Sequence, residues 1–201
     1  MFAKIKLWFI VIGISFTVSS AFALQTGDMA PDFTLTDTNG QSHSLGEFKG
    51  KTVVLEWFNP DCPFVKKHYD SQNMQNLQKK YIEQGAIWLS INSSAEGKQG
   101  FYSSQEYNRL TEEKDASPTA LLLDRSGDVG RLYGAQTTPH MYIINTNGVL
   151  VYQGAIDSIP SVDVADIATA QNYVQAALDE IAQGKPVTTS TTKSYGCSVK
   201  Y

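Results

Sequence analysis

The stretch Thr52-Val53-Val54-Leu55-Glu56-Trp57-Phe58-Asn59-Pro60-Asp61-Cys62-Pro63-Phe64-Val65 runs from an apolar segment into a cysteine. The apolar part predicts a buried strand over residues 52–58. Residues 63–83 follow, with Phe64, Val65, Tyr69, Met74, Leu77 and Tyr81 at near-helical spacing. A cysteine at a strand-to-helix turn sits beside a helix N-terminus. Unpaired N–H groups and the helix dipole favour an anion there, which lowers a thiol below its free pKa of about 8.5. Pro63 suits the first helical turn, where its missing N–H costs nothing. These features point to thiol chemistry at Cys62; a buried structural cysteine is the plainer alternative.

Outward from this turn, strands and helices alternate. Upstream, two alternating runs, 33–36 and 41–45, flank Asn39-Gly40, a strong hairpin signal. Downstream, residues 86–91 and 119–123 read as buried strands. Residues 104–113 read as a helix with Ser103 or Ser104 as its cap, and 129–133 as a short helix closed by Gly134. Residues 141–145 and 149–153 form a second hairpin across Asn147-Gly148. Ile167, Ala170, Val174, Ala177, Leu178 and Ile181 mark one face of a helix over 167–181, stopped by Gly184-Lys185-Pro186. This order predicts an α/β fold with a mixed central sheet, an N-terminal hairpin and a C-terminal helix. The tail, 187–201, is rich in Thr and Ser and carries Cys197. Few apolar anchors predict that it rearranges at little cost.

The N-terminus reads as a targeting segment over residues 1–23. Lys4 and Lys6 precede an apolar run from Leu7 to Val18, and Ala21-Phe22-Ala23 is a small-x-small cleavage site. The run is short for a membrane span of about 20 residues. The expectation is export to a periplasmic or secreted location, with no membrane association after cleavage; an uncleaved anchor is the alternative. The mature domain is then 24–186, followed by the tail. The whole chain has a formal net charge of −4. Cleavage removes two lysines and no acid, leaving it more negative still. With no basic patch, and with Lys66-Lys67 and Lys79-Lys80 read as solvated helix faces, nucleic-acid binding is not expected. Both cysteines lie in the exported part, where an oxidising compartment permits pairing.

The segment from Trp57 to Val65 resembles the active-site turn W-x-x-x-x-C-x-x-C of the thioredoxin superfamily, with Val65 in place of the second cysteine. Ala30-Pro31-Asp32-Phe33-Thr34-Leu35 and Gly50-Lys51-Thr52-Val53-Val54-Leu55 resemble the opening of its redoxin branch, which holds the peroxiredoxins and the alkyl hydroperoxide reductase and thiol-specific antioxidant proteins. Thr138-Pro139 through Asn145, with Asn147-Gly148, resembles the fold's cis-proline loop, strand and turn. The resemblance implies a thioredoxin-like fold over roughly residues 26–157, with Cys62 as nucleophile. It implies that Pro139 is cis and packs against Cys62, that the Thr138 backbone meets a substrate chain, and that Trp57 and Pro63 belong to the same surface. It also places Glu56 beneath the site as a proton relay; an outward-facing strand residue is the alternative. No cofactor and no metal are implied.

Two departures bear on the activity. In the peroxiredoxin pattern P-x-x-x-[TS]-x-x-C, the Thr/Ser position is Asn59 and the proline position is Leu55. Val65 cannot resolve an oxidised Cys62, which leaves Cys197 as the remaining thiol able to do so. An intermolecular bridge and an inert tail thiol are its alternatives. His68 reads as a surface or packing residue. His140 lies either near the sulfur or buried away from it. The leading expectation is an exported thiol oxidoreductase acting on a thiol or disulfide protein or a small oxidant, recharged by an external reductant. The alternative is a non-catalytic binding module, or a copper-handling protein using Cys62 and His140.

Overall fold

The computed structural model describes residues 23–201. The targeting segment therefore lies, apart from Ala23, outside the described residues. Seven strands form one mixed sheet. They are β1 (Thr34–Asp37), β2 (Ser42–Ser44), β3 (Val53–Trp57), β4 (Ile87–Asn92), β5 (Ala120–Leu123), β7 (His140–Ile144) and β8 (Leu150–Gly154), in the order β2-β1-β5-β4-β3-β7-β8. Strands β3, β4 and β5 run parallel, whereas β7 pairs antiparallel with β3. The N-terminal hairpin is present, with Thr34 opposite Ser44. This is the thioredoxin-like architecture expected from the sequence.

Strand β3 is buried along its whole length because both of its faces are covered. Val53, Leu55 and Trp57 join one core with Leu89, Ile91, Tyr133 and Tyr142. Val54 and Phe58 join the other, with Val65, Tyr69, Met74 and Tyr81. Glu56 belongs by alternation to this second face and is fully buried.

The single helix expected over 63–83 is two: α1 (Pro63–Asp70) and α2 (Asn73–Glu83), separated by Gln72 at a left-handed φ of 61°. The apolar spacing explains the break. Val65 and Tyr69 are four apart, but the next buried apolar residue, Met74, is five further on, out of step with a 3.6-residue turn. A break at Ser71-Gln72 lets both segments bury their apolar faces.

Helix α3 (Ser104–Glu113) is capped by Ser103, whose side chain accepts from the Glu106 N–H. Helix α4 (Asp128–Tyr133) ends at Gly134 with φ 68°. The C-terminal helix, α5, spans Tyr173–Ala182 and not 167–181. Tyr173 N donates to Ile156 O, Ser158 N to Gln171 O, and Asn172 caps the helix at Gln175 N. The backbone before Tyr173 is thus committed to neighbouring chain, and Val164–Ala168 forms a separate 3₁₀ turn.

The tail is not loose. A two-stranded ribbon pairs β6 (Thr137–Thr138) with β9 (Cys197–Ser198). Further back, Gln153 N donates to Ser190 O and Thr192 N to Gln153 O. The Thr192 hydroxyl lies 2.7 Å from that of Tyr152 and accepts from Ala155 N. The anchors are hydrogen bonds and tyrosines, which a count of apolar residues does not detect.

Candidate active site around Cys62 and Cys197

Strand β3 ends at Trp57, and the loop 58–61 carries the chain to α1. Asn59 Oδ1 accepts from Asp61 N and Asn59 Nδ2 donates to Gln99 O. The Asp61 carboxylate accepts from Gly100 N and from the Tyr102 hydroxyl. This bracing fixes Cys62 as the residue preceding α1, with Pro63 at the first helical position.

The Thr138-Pro139 bond is cis. The Cys62 sulfur lies 3.1 Å from the Thr138 carbonyl oxygen and 2.7 Å from the Cys197 sulfur. Both cysteines are free thiols. Cys197 stands directly opposite Thr138 in the β6–β9 ribbon, and this pairing delivers it to Cys62. Cys62 has no exposed surface, while Cys197 is partly exposed. Burial, the hydrogen bond with Cys62 and the charge on that sulfur push the Cys197 thiol up to about 11. Cys197 is therefore protonated at neutral pH.

Two tyrosines hold the tail on either side of Cys197. The Tyr195 hydroxyl donates to Asp157 Oδ1 and lies 3.2 Å from His68 Nε2, and its ring meets Phe64 edge-on. Asp157 also pairs with Lys67 at 3.3 Å, and Lys67 donates to Ile159 O. Both members of this pair are buried. Beyond the cysteine, Val199 N donates to Gln136 O. The Tyr201 hydroxyl donates to Ala135 O, and its ring lies 4.5 Å from the Arg131 guanidinium.

Glu56 sits beneath α1 and is not outward-facing. It accepts from Tyr69 Oη, Trp88 Nε1 and Ser90 Oγ at 2.8–2.9 Å. Burial raises its pKa, and the three donors oppose that shift. A cavity of about 280 Å³ lined by Phe58, Val65, Tyr69, Ser90 and Tyr107 adjoins these partners.

A family model described as Redoxin matches residues 25–171, most of the chain. The chain belongs to the redoxin family. Among curated proteins, this redoxin is 27% identical over 148 residues to the thiol-disulfide oxidoreductase ResA of Geobacillus kaustophilus (strain HTA426), covering 69% of this chain and 77% of that protein. It is 26% identical over 159 residues to the chloroplastic peroxiredoxin Q of Suaeda salsa, covering 74% and 69%. A solved structure of an uncharacterized conserved protein from Geobacillus kaustophilus superposes with a TM-score of 0.75 at 29% identity, covering 89% of this chain and 93% of that one.

The redoxin fold brings Cys62, Pro63, Thr138, Pro139 and Cys197 together and separates Trp57 from them. Trp57 is fully buried, donates to Ser93 Oγ, and packs against Tyr133 and Tyr142 with ring centroids 5.5 and 5.1 Å away. It is a core residue, because its place on β3 points it to the face opposite α1. Lys67 is likewise no solvated lysine, whereas Lys66 is exposed. His68 is a buried packing residue. His140 is buried too, with Nδ1 3.3 Å from Gln136 N and 3.2 Å from the Tyr142 hydroxyl. Among the described residues, no group of three or more His, Cys, Asp or Glu side chains is arranged to hold a metal. Tyr195, Gly196 and Tyr201 were not singled out from the sequence. The signal available was two tyrosines flanking Gly196-Cys197 in an otherwise Thr/Ser-rich tail.

Proposed function

We propose that this redoxin is an extracytoplasmic thiol-disulfide oxidoreductase in which Cys62 is the nucleophile and Cys197 the resolving thiol. The 2.7 Å approach of the two sulfurs, set by a strand pairing at the cis-proline loop, carries the reading. The names of curated relatives support the reaction class. The N-terminal residues, read as a targeting segment, support export.

The Cys62 thiolate attacks one sulfur of a substrate disulfide. A mixed disulfide forms and the other substrate thiolate leaves with the bonding electrons. With Cys62 now in a disulfide, its negative charge is gone. One cause of the high Cys197 pKa disappears with it, so Cys197 gives up its proton more readily. Its thiolate attacks the Cys62 sulfur and expels the second substrate thiolate. Two electrons have passed to the substrate, and a Cys62–Cys197 disulfide remains for an external dithiol to reduce. Glu56, whose pKa is raised by burial and whose partners Tyr69 and Ser90 line a cavity, is the proton store for these transfers.

Disulfide exchange is favoured over peroxide reduction by Asn59. It holds the position of the peroxiredoxin Thr/Ser, and its side-chain amide is consumed by Asp61 N and Gln99 O. The test is peptide mass mapping after oxidation, together with reductase-coupled turnover of Cys197→Ser. A Cys62–Cys197 bridge and a stalled variant are expected. Absence of the bridge, with undiminished turnover, removes Cys197 from the mechanism.

A further inference from the structure

The cleft that holds the tail is built from fixed parts of the domain. The β6 edge supplies backbone to Cys197 and Gln136 O supplies it to Val199 N. At Gly196, φ is 133°, and a Cβ there would overlap the Thr138 carbonyl oxygen. The residue before the cysteine must therefore lack a side chain. At the far end, the Tyr201 ring lies in a niche over Gly127 and Gly130, where a Cβ on either glycine would overlap it. Arg131 covers the ring and Ala135 O receives the hydroxyl. Gly127, Gly130, Arg131, Ala135 and Thr138 all belong to the domain and not to the tail. Since the tail leaves Cys62 no exposed surface, any protein disulfide must take its place to reach that sulfur.

We propose that this cleft is a binding site for extended, cysteine-bearing segments of substrate polypeptides, selective for glycine immediately before the cysteine and an aromatic ring four residues after it. The inference rests on the reading of Cys62 as the exchange nucleophile. The tail occupies the site as a tethered competitor. A short tether gives it an effective concentration on the order of millimolar, so a free segment competes well only when the tail is dislodged. In the reaction, the Cys62 thiolate bonds to the sulfur of the segment's cysteine. The segment's existing S–S bond breaks, and its other thiolate leaves with the electron pair.

The test uses peptides with the tail sequence 193–201, their cysteine held in a mixed disulfide with thionitrobenzoate, whose release is read by absorbance. The hosts are two full-length variants with loosened tails, Gly196→Val/Cys197→Ser and Tyr201→Ala/Cys197→Ser, so that misfolding of one leaves the other. Each peptide's rate is normalised to its reaction with free glutathione. Because a side chain forced into a closed gap is strongly disfavoured, replacing the peptide's glycine by valine should slow release about tenfold or more. Replacing its terminal tyrosine by alanine should slow release severalfold. Equal rates for the three peptides overturn the proposal. So does reaction with the small symmetrical disulfide of thionitrobenzoate but with none of the peptides. If neither peptides nor small disulfide react, the nucleophile reading itself falls.

Discussion

The Tyr195 hydroxyl donates to Asp157 Oδ1 across 2.5 Å, and the second oxygen of that carboxylate receives Lys67 of α1. One carboxylate thus ties the tail to the helix that follows Cys62. Tyr195→Phe removes one bond to a charged group, at a cost of about 1–3 kcal/mol. A lowered denaturant midpoint is expected, with faster alkylation of Cys62 in the reduced protein. Unchanged Cys62 alkylation would show that Tyr195 does not hold the tail down.

Cys197 titrates high partly because of its neighbour's charge and hydrogen bond. In the reduced parent, its alkylation rate should rise with a midpoint near 11. Cys62→Ser removes the charge, and the midpoint should move down. A midpoint that stays put would mean that burial alone sets it, and that forming the mixed disulfide does not help Cys197 ionise.

Glu56 is an acid whose folded pKa lies above its unfolded value of about 4.3. The folded state therefore binds the proton more tightly, and the associated stability is present at low pH. It is lost as pH rises from the unfolded value through the folded one. Glu56→Gln should flatten this fall in unfolding free energy. The pH slope, not the absolute stability, is the readout, because an amide cannot accept from all three donors as a carboxylate does. An unaltered slope would place the Glu56 pKa at its ordinary value.

His68 and His140 titrate in the opposite sense. Burial lowers both to about 4, and at His68 the attraction of Asp157 and the repulsion of Lys67 are smaller effects. Unfolded histidine titrates near 6.5, so the unfolded chain binds protons first as pH falls. Stability should drop between about pH 6.5 and 4, by about 3 kcal/mol per histidine at most. His140→Phe should remove part of that acid limb. Titration of His140 by NMR with a midpoint near 6.5 would overturn this.

Much of the fold was legible because it rests on local periodicity. The apolar run at 53–57, the Asn39-Gly40 and Asn147-Gly148 turns, and the cap at Ser103 each state their structure within a few residues. The helix bounds were less legible. One five-residue step, Tyr69 to Met74, hidden among steps of three and four, makes α1 and α2 read as one helix. Apolar spacing carries α5 back to Ile167 because periodicity does not register that the backbone before Tyr173 is hydrogen-bonded to residues 156 and 158. Cys62 and Pro139 stood out from the motif around them, since a thiol at a helix start carries its own physical signature.

The sequence by itself determined an α/β sheet with a thiol at the strand-to-helix turn and a second thiol near the end of the chain. Tertiary structure alone decided that these thiols meet. Cys197 is 135 positions from Cys62 along the chain, and its docking depends on side chains that read as unremarkable polar residues. Cys197, Thr192, Tyr195 and Tyr201 find their partners Thr138, Gln153, Asp157 and Ala135 only when β6, β8 and the segments beside them have been laid side by side. Hydrogen bonds between distant segments leave no periodic trace, whereas apolar burial does. The same reason hid the burial of Lys67: a lysine beside a helix start reads as solvated until the fold sets a carboxylate against it.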